Sequence, residues 1–329
     1  MDDLTRALRE AVGQLFAEDK IDLFIGYEKG SLPLTATPCF IRSKDEVGRL
    51  LWDPFCSNNL SVYLPRYFLP DPRDKEQKFP KIGIMVKGCD ARNLIVVSNE
   101  KQVPRSNVTI VGIACGGVID RDKLLDQVDG KEIVEVRDDA SEIVVVDRDG
   151  SESPFDKEPL LADPCSVCEG NIPSVSDMLI GEGAELKKNE DHLVEEFQAG
   201  EIKERWKYFE EEMAKCIRCY ACRQACPLCY CKECFADQTQ PRWIGASSAL
   251  SDVMLFHLGR MFHTAGRCVD CGACARACPM GVDLRKFQRK LVEAVQDQFG
   301  YKPGFSLDEV APLATFRLED KQEFITEPK

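Results

Sequence analysis

Two stretches of the chain place four cysteines each at the same spacing. CIRCYACRQACP at 216–227 and CVDCGACARACP at 268–279 share the pattern C-x2-C-x2-C-x3-C-P. Thiolates at this spacing are typical ligands of 4Fe–4S clusters, because a tight turn points three successive sulfurs toward one set of irons. The repeat therefore predicts two 4Fe–4S clusters.

The fourth cysteine of each motif is followed by proline and is directed away from the first three. In two-cluster ferredoxins this cysteine binds the other cluster. The spacing therefore predicts crossed ligation. We assign four ligands to a first cluster, namely Cys216, Cys219, Cys222 and Cys278. The ligands assigned to a second cluster are Cys268, Cys271, Cys274 and Cys226.

Zinc and disulfides are the two alternative uses of dense cysteines. A structural zinc site takes two separated pairs of ligands, which a run of three cysteines followed by Cys-Pro does not provide. The chain has only three histidines, so His-based metal sites have little support. Disulfides are rare in the cytosol, where the absence of a signal peptide or membrane span places this chain. Iron–sulfur ligation is the use that fits.

Nine of the 17 cysteines lie outside the two motifs. Cys229, Cys231 and Cys234 follow the first motif in one short loop, which predicts a third cluster that needs one more ligand from elsewhere. The five candidates for that ligand are Cys56, Cys89, Cys115, Cys165 and Cys168. If one of them completes the third cluster, the other four predict a fourth. An isolated buried thiol is the alternative for Cys89 and Cys115, and only Cys39 is left as an ordinary apolar residue.

Charge separates the cysteine-rich region from the remainder of the chain. The 329 residues carry a formal charge of −13, which argues against a nucleic-acid partner because phosphate binding needs a basic surface. Residues 216–290 contain 11 Lys or Arg against 5 Asp or Glu. Arginines near an anionic cluster would stabilise it.

Hydrophobic periodicity indicates the elements that carry these cysteines. Apolar spacing predicts a helix over 4–16, and short apolar runs predict buried strands at 23–26, 82–86 and 109–114. Alternation over 132–147 predicts a hairpin. Stretches near 151–164 and 180–183 resemble linkers, and helical patterns follow from 184, including one over 246–266.

These patterns predict an α+β fold with a mixed α/β domain followed by an all-helical dicluster domain. We place the first domain at 1–183, the ferredoxin-like domain at 184–300 and a C-terminal tail at 301–329. No G-x-G-x-x-G follows a predicted strand, so a nucleotide-binding Rossmann site has no support.

The wide separation of the two motifs resembles the helical dicluster ferredoxin domain of multi-subunit redox enzymes. CPLCYCKEC (226–234) resembles the CP-x-C-Y-C signature of electron-transfer β subunits. These subunits occur in cytosolic hydrogenases, anaerobic sulfite reductase, and deazaflavin-dependent hydrogenase and formate dehydrogenase. VKGCDARNL (86–94) and DPCSVCEGNIPSVSDM (163–178) resemble N-terminal segments of the same group.

The resemblance implies an iron–sulfur subunit of a cytoplasmic, anaerobic oxidoreductase complex that relays single electrons between partner subunits. The implied partners are hydrogenase, formate dehydrogenase or heterodisulfide-reductase-like subunits. The alternative is a reductase with FAD in its N-terminal domain, acting on a deazaflavin-type hydride acceptor. A protein in which the clusters are only structural is the third hypothesis, and relay-like spacing argues against it. The pattern thus favours an electron-transfer subunit over an enzyme by itself.

Overall fold

The computed structural model describes residues 3–74, 76–128, 130, 132–139, 141–182, 192–316 and 318. Within them, eight strands form two sheets. Their bounds are β1 Leu23–Lys29, β2 Ala36–Ile41, β3 Ile82–Val86, β4 Val108–Ile113, β5 Ile133–Asp139, β6 Glu142–Asp147, β7 Glu152–Asp156 and β8 Met178–Ile180. The predicted boundary between residues 183 and 184 lies outside the described residues.

Twelve α-helices accompany the strands in the same described ranges. They are α1 Asp3–Ala17, α2 Leu64–Tyr67, α3 Gly88–Asn99, α4 Arg121–Val128, α5 Lys157–Leu160, α6 Asp163–Ser166, α7 Leu193–Ala199, α8 Ile202–Ala214, α9 Ala221–Gln224, α10 Leu250–Thr264, α11 Ala273–Arg276 and α12 Leu284–Phe299. Short 3-10 turns occur at Lys44–Arg49, Leu60–Tyr63, Arg105–Asn107 and Pro312–Ala314. None of these helices is long and apolar enough to cross a bilayer.

The larger sheet is mostly parallel and forms the core of the N-terminal region. Its strand order is β2-β1-β3-β4-β8, with β1 antiparallel to β2 and the other neighbours parallel. Strand β3 is buried along its whole length, as its continuous apolar sequence predicts. The carboxyl ends of β3 and β4 lie side by side, the edge at which open parallel sheets place ligands.

The second sheet corrects one expectation. The predicted hairpin over 132–147 is confirmed as β5 and β6, but part of the supposed linker at 151–164 pairs with it as β7. The sequence of β7, ESPFD, is short and polar, so it gives no apolar signal. It also contains Pro154, which an edge strand tolerates because one side of such a strand needs no partner.

Hydrogen bonds and an ion pair hold the helical region against the sheet domain. The Arg267 guanidinium donates to the Glu100 carboxylate (Nη2–Oε2 2.6 Å), and the Tyr230 hydroxyl donates to the same carboxylate at 2.7 Å. Beyond α12 the chain returns to α3, where Arg92 donates to the carbonyl of Pro303 (Nη2–O 3.0 Å) and stacks on Phe305. The α+β architecture is therefore confirmed, with the helical region held against α3 by these contacts.

Candidate iron–sulfur sites

The two cysteine motifs have the same backbone conformation. Arg218 and Asp270 occupy equivalent positions with φ of 55° and 54°, and Tyr220 and Gly272 follow with φ of 62° and 67°. For residues other than glycine, a left-handed backbone conformation costs free energy, and it persists where the surrounding structure imposes it, often at a functional site. Here they turn the chain so that the amide of Arg218 donates to Cys216 Sγ at 3.4 Å, and that of Asp270 donates to Cys268 Sγ at 3.4 Å.

The first predicted ligand set lines a single cavity that α10 and the start of α12 also border. Its cysteines are Cys216, Cys219, Cys222 and Cys278. The amide of Val282 donates to Cys278 Sγ at 3.4 Å, as the other amides do within the motifs. Cys219 and its neighbour Ile217 are exposed, so this cavity lies beside the protein surface.

The second predicted ligand set lines another cavity deeper in the molecule. Its sulfur-bearing residues are Cys226, Cys268, Cys271 and Cys274. Burial raises the pKa of Cys271 to about 11, so iron binding must displace a proton from this thiol. The structure thus brings the fourth cysteine of each motif to the cavity of the other motif.

A buried arginine lies between the two sets. Arg260, on α10, is 7% exposed and donates to the carbonyl of Cys222 (Nη2–O 3.1 Å). Its attraction also acts on the thiols of Cys226 and Cys274, and its Nε has no hydrogen-bond partner among the described residues. An uncompensated guanidinium here fits two anionic groups in the flanking cavities, because a buried cation is costly without opposite charge.

Four of the five remaining N-terminal candidates gather at the carboxyl edge of the large sheet. Cys89 follows β3 at the start of α3, and Cys115 follows β4. Cys89, Cys165 and Cys168 line one cavity of about 70 Å³. Burial raises the pKa of Cys115 to about 12, and its thiol interacts electrostatically with all three of the others. Neighbouring parallel strands thus bring distant segments together.

Cys56 and Cys39 lie apart from this group. Cys56 is fully buried, and its thiol contacts the carboxylate of Asp53 (Sγ–Oδ1 3.5 Å). Cys39 lies on β2 within the apolar core, as expected for an ordinary residue.

The three loop cysteines line a different and larger cavity. Cys229, Cys231 and Cys234 share a space of about 690 Å³ with Cys226 and with His263. None of the five proposed partners of the loop lines this cavity. A hydrogen bond from Cys226 lowers the pKa of Cys229 to about 7, although burial opposes it.

In the described ranges, no three His, Cys, Asp or Glu side chains converge closely enough to hold one metal ion.

Sequence reasoning missed two features beside these cysteines. The ring of His257 lies in the first cavity, with Nε2 3.3 Å from Cys216 Sγ, and desolvation lowers its pKa to about 4. Its position on the same face of α10 as Phe256 and Arg260 was the available signal. The second feature is a buried Lys87–Asp90 ion pair (Nζ–Oδ2 2.9 Å) beside Cys89, in which the lysine also donates to the hydroxyl of Tyr27.

The helical region matches a known protein family. A family model described as "4Fe-4S dicluster domain" matches residues 212–282. This match covers both cysteine motifs and the helix between them.

Most of the chain is similar to two formate dehydrogenase subunits. F420-dependent formate dehydrogenase 1 subunit beta from Methanococcus maripaludis is 25% identical over 355 residues, covering 89% of this chain and 88% of that protein. F420-dependent formate dehydrogenase subunit beta from Methanocaldococcus jannaschii is 23% identical over 348 residues, covering 86% and 87%. The predicted resemblance to such beta subunits is confirmed.

A solved structure gives a weaker likeness. A chain of the F420-reducing NiFe hydrogenase complex from Methanosarcina barkeri aligns with a TM-score of 0.39 and 15% identity. The alignment covers 50% of this chain and 62% of that one.

Proposed function

We propose that this chain is the iron–sulfur electron-transfer subunit of an oxidoreductase complex. The observation that carries the proposal is the division of eight motif cysteines into two cavities of four, in the crossed arrangement. Similarity to formate dehydrogenase beta subunits over most of the chain supports it. Each 4Fe–4S cluster, when bound, takes up and releases one electron at a time.

The first cluster is held by the cysteines of the surface cavity and the second by those of the deeper one. Backbone amides that donate to Cys216, Cys268 and Cys278 stabilise thiolates there. Arg260 offsets the negative charge of both clusters. Hydrogen bonds and buried positive charge of this kind raise reduction potentials.

An N-terminal cluster is the third member of the relay. Its ligands are Cys89, Cys115, Cys165 and Cys168, the four thiols at the carboxyl edge of the sheet. The buried Lys87–Asp90 ion pair lies beside this group. Cys56 is not one of these ligands, because its thiol contacts the carboxylate of Asp53 instead.

The arrangement of the cavities supports an order for the relay. Cys271 lines both the N-terminal cavity and the second one, so these two sites are neighbours. Arg260 connects the second site to the first. Electrons therefore pass between the sheet edge and the exposed surface at Cys219, with the second cluster in the middle.

The loop cluster predicted from Cys229, Cys231 and Cys234 stays a prediction. The fourth cysteine that lines its cavity is Cys226, which we assign to the second cluster, and His263 is the histidine in the same cavity. Anaerobic iron analysis separates the cases, because the loop cluster would raise the total from about twelve irons per chain to about sixteen.

Anaerobic reductive titration tests the relay. The chain is purified without oxygen and reduced stepwise with dithionite while electron paramagnetic resonance follows the clusters. Uptake of about three electrons, one for each of three clusters, is expected from a relay without flavin. A protein that takes up no electrons and binds zinc instead would contradict the proposal.

A flavin-containing reductase is the second candidate. The 690 Å³ cavity is within the size range of cofactor sites and is lined by Arg66, Arg223, Arg260 and Arg267, which suit an anionic cofactor. An adjoining cavity of about 310 Å³ shares Arg66 and includes Arg276. Denaturation of the anaerobic protein would release FAD on this account, and two extra electrons would be taken up. Absence of released flavin would exclude it.

The partners we propose are catalytic or relay subunits like those of formate dehydrogenase, hydrogenase or heterodisulfide reductase, in a cytoplasmic complex. The first two classes match the names of the similar proteins.

A further inference from the structure

One histidine contacts a predicted cluster ligand directly. His257 is 2% exposed and lies in the same cavity as Cys216, Cys219, Cys222 and Cys278. Its Nε2 is 3.3 Å from Cys216 Sγ, within hydrogen-bond range for sulfur. A ligating thiolate can only accept, so the hydrogen must lie on Nε2. The other ring nitrogen, Nδ1, has no partner among the described residues.

The equivalent cysteine of the second site, Cys268, lacks such a contact. Both motifs supply the same backbone donor, from Arg218 to Cys216 and from Asp270 to Cys268. In the described part of the chain, however, no side chain donates a hydrogen bond to Cys268. Arg260 acts on thiols of both sites, but it lines the cavity of the second site and interacts there with Cys274.

The side chains at the equivalent motif positions carry opposite charges, Arg218 at the first site and Asp270 at the second. Arg218 is buried, its guanidinium donates to the carbonyl of Gly245 (Nη1–O 2.6 Å), and the nearby carboxylate of Asp252 interacts with it. Asp270 places a carboxylate at the second site, where Arg285 binds it (Nη2–Oδ2 2.7 Å). The feature that belongs to the first site alone is therefore the contact of His257 with Cys216.

We propose that His257 raises the reduction potential of the first cluster alone, by donating Nε2–H to Cys216. The inference rests on the proposed function. Reduction adds negative charge to the cluster and its sulfurs, and a donor to sulfur stabilises that charge. The consequence is that this hydrogen bond shifts the electron toward the cluster beside the exposed Cys219, where a partner can collect it.

Redox titration of the full chain, monitored by electron paramagnetic resonance, tests the proposal. His257→Leu removes the donor, and His257→Gln keeps an N–H at similar reach. His192→Leu is the control, because His192 is exposed and pairs with Glu195 far from the cysteines in sequence. Cys278→Ser identifies which wave belongs to the first cluster.

The expected result is selective. His257→Leu lowers the equilibrium constant for reduction of the first cluster about tenfold, which is about 59 mV for one electron, on the scale of a hydrogen bond to a charged group. His257→Gln shifts it less, and the control shifts neither cluster. Unchanged potentials in His257→Leu, or equal shifts of both clusters, would overturn the proposal. Absence of any cluster signal from the unmodified chain would refute the proposed function itself.

A measurement on the unmodified chain covers the case in which His257→Leu does not retain its clusters. Pulsed electron paramagnetic resonance with ¹⁵N-histidine detects nitrogen coupled to a reduced cluster. With three histidines in the chain, assignment is simple, and His257→Gln removes the histidine contribution. One weakly coupled nitrogen on the first cluster is expected. No coupled nitrogen would overturn the hydrogen bond.

Discussion

At the scale of single residues, the position of Cys226 distinguishes crossed ligation from sequential ligation. Cys226 belongs to the first motif but lies in the cavity of Cys268, Cys271 and Cys274. Cys226→Ser is therefore expected to perturb the second cluster and to spare the first. Mössbauer and paramagnetic resonance spectra of the anaerobic variant check this. The matched variant, Cys278→Ser, should perturb the first cluster only, and damage to the sequence-adjacent cluster in both variants would contradict crossing.

A second residue-scale prediction concerns two buried N-terminal thiols. Cys89→Ser is expected to remove about four irons per chain, because Cys89 belongs to the proposed N-terminal ligand set. Cys56→Ser is the control and should leave the iron content unchanged, because Cys56 is outside this ligand set and its thiol contacts Asp53. Iron and sulfide are measured anaerobically. Equal iron loss in both variants would mean that the ligand set is wrongly assigned.

The sequence predicted the motif ligand sets because three of the four cysteines are local and the Cys-Pro ending is informative. It did not predict how Cys89, Cys115, Cys165 and Cys168 combine. They come from three separate segments that only the pairing of β3 with β4, and the return of the chain through α6, bring together. The spacing of cysteines along the chain does not indicate which distant segments lie side by side in the fold.

At the scale of elements, the start of α3 packs against the loop that carries Cys168. A Cβ added at Gly88 would lie 1.7 Å from the carbonyl oxygen of Gly170, which is backbone and cannot move aside cheaply. Gly88→Ala is therefore expected to destabilise the fold by more than about 3 kcal/mol and to lower iron content. Denaturant unfolding and iron analysis measure both effects.

Gly13 provides a matched control within α1. A Cβ there meets nothing within 4 Å, and alanine is the better helix former. Gly13→Ala should therefore stabilise the protein by about 0.5–1 kcal/mol without changing iron content. If Gly88→Ala behaves like Gly13→Ala, the close approach of the two segments is wrong.

Apolar elements were predictable and polar ones were not. Strands β1, β3 and β4 were recognised because they are buried on both faces. Strand β7 was missed because an exposed edge strand needs no apolar sequence. The helix predicted over 246–266 is present as α10, although its buried His257 and Arg260 take their roles from neighbouring cysteines rather than from helical periodicity.

At the scale of the whole molecule, a relay must deliver electrons at a surface. The exposed Cys219 and Ile217 provide one beside the first cluster. We expect the native protein to elute from anaerobic gel filtration in a complex larger than the 37.0 kDa chain. If exposed charges contribute to binding of the partner, raising the salt concentration should weaken this complex, because salt screens such charges. A single species of 37.0 kDa in native extract would argue against a stable partner.

Iron analysis of the anaerobically purified chain tests the central claim most directly. The account predicts about twelve irons and about twelve inorganic sulfides per chain, all in 4Fe–4S clusters by Mössbauer spectroscopy. These belong to the first, second and N-terminal sites. A firm count of eight or fewer irons, or zinc in place of iron, would contradict the three-cluster relay.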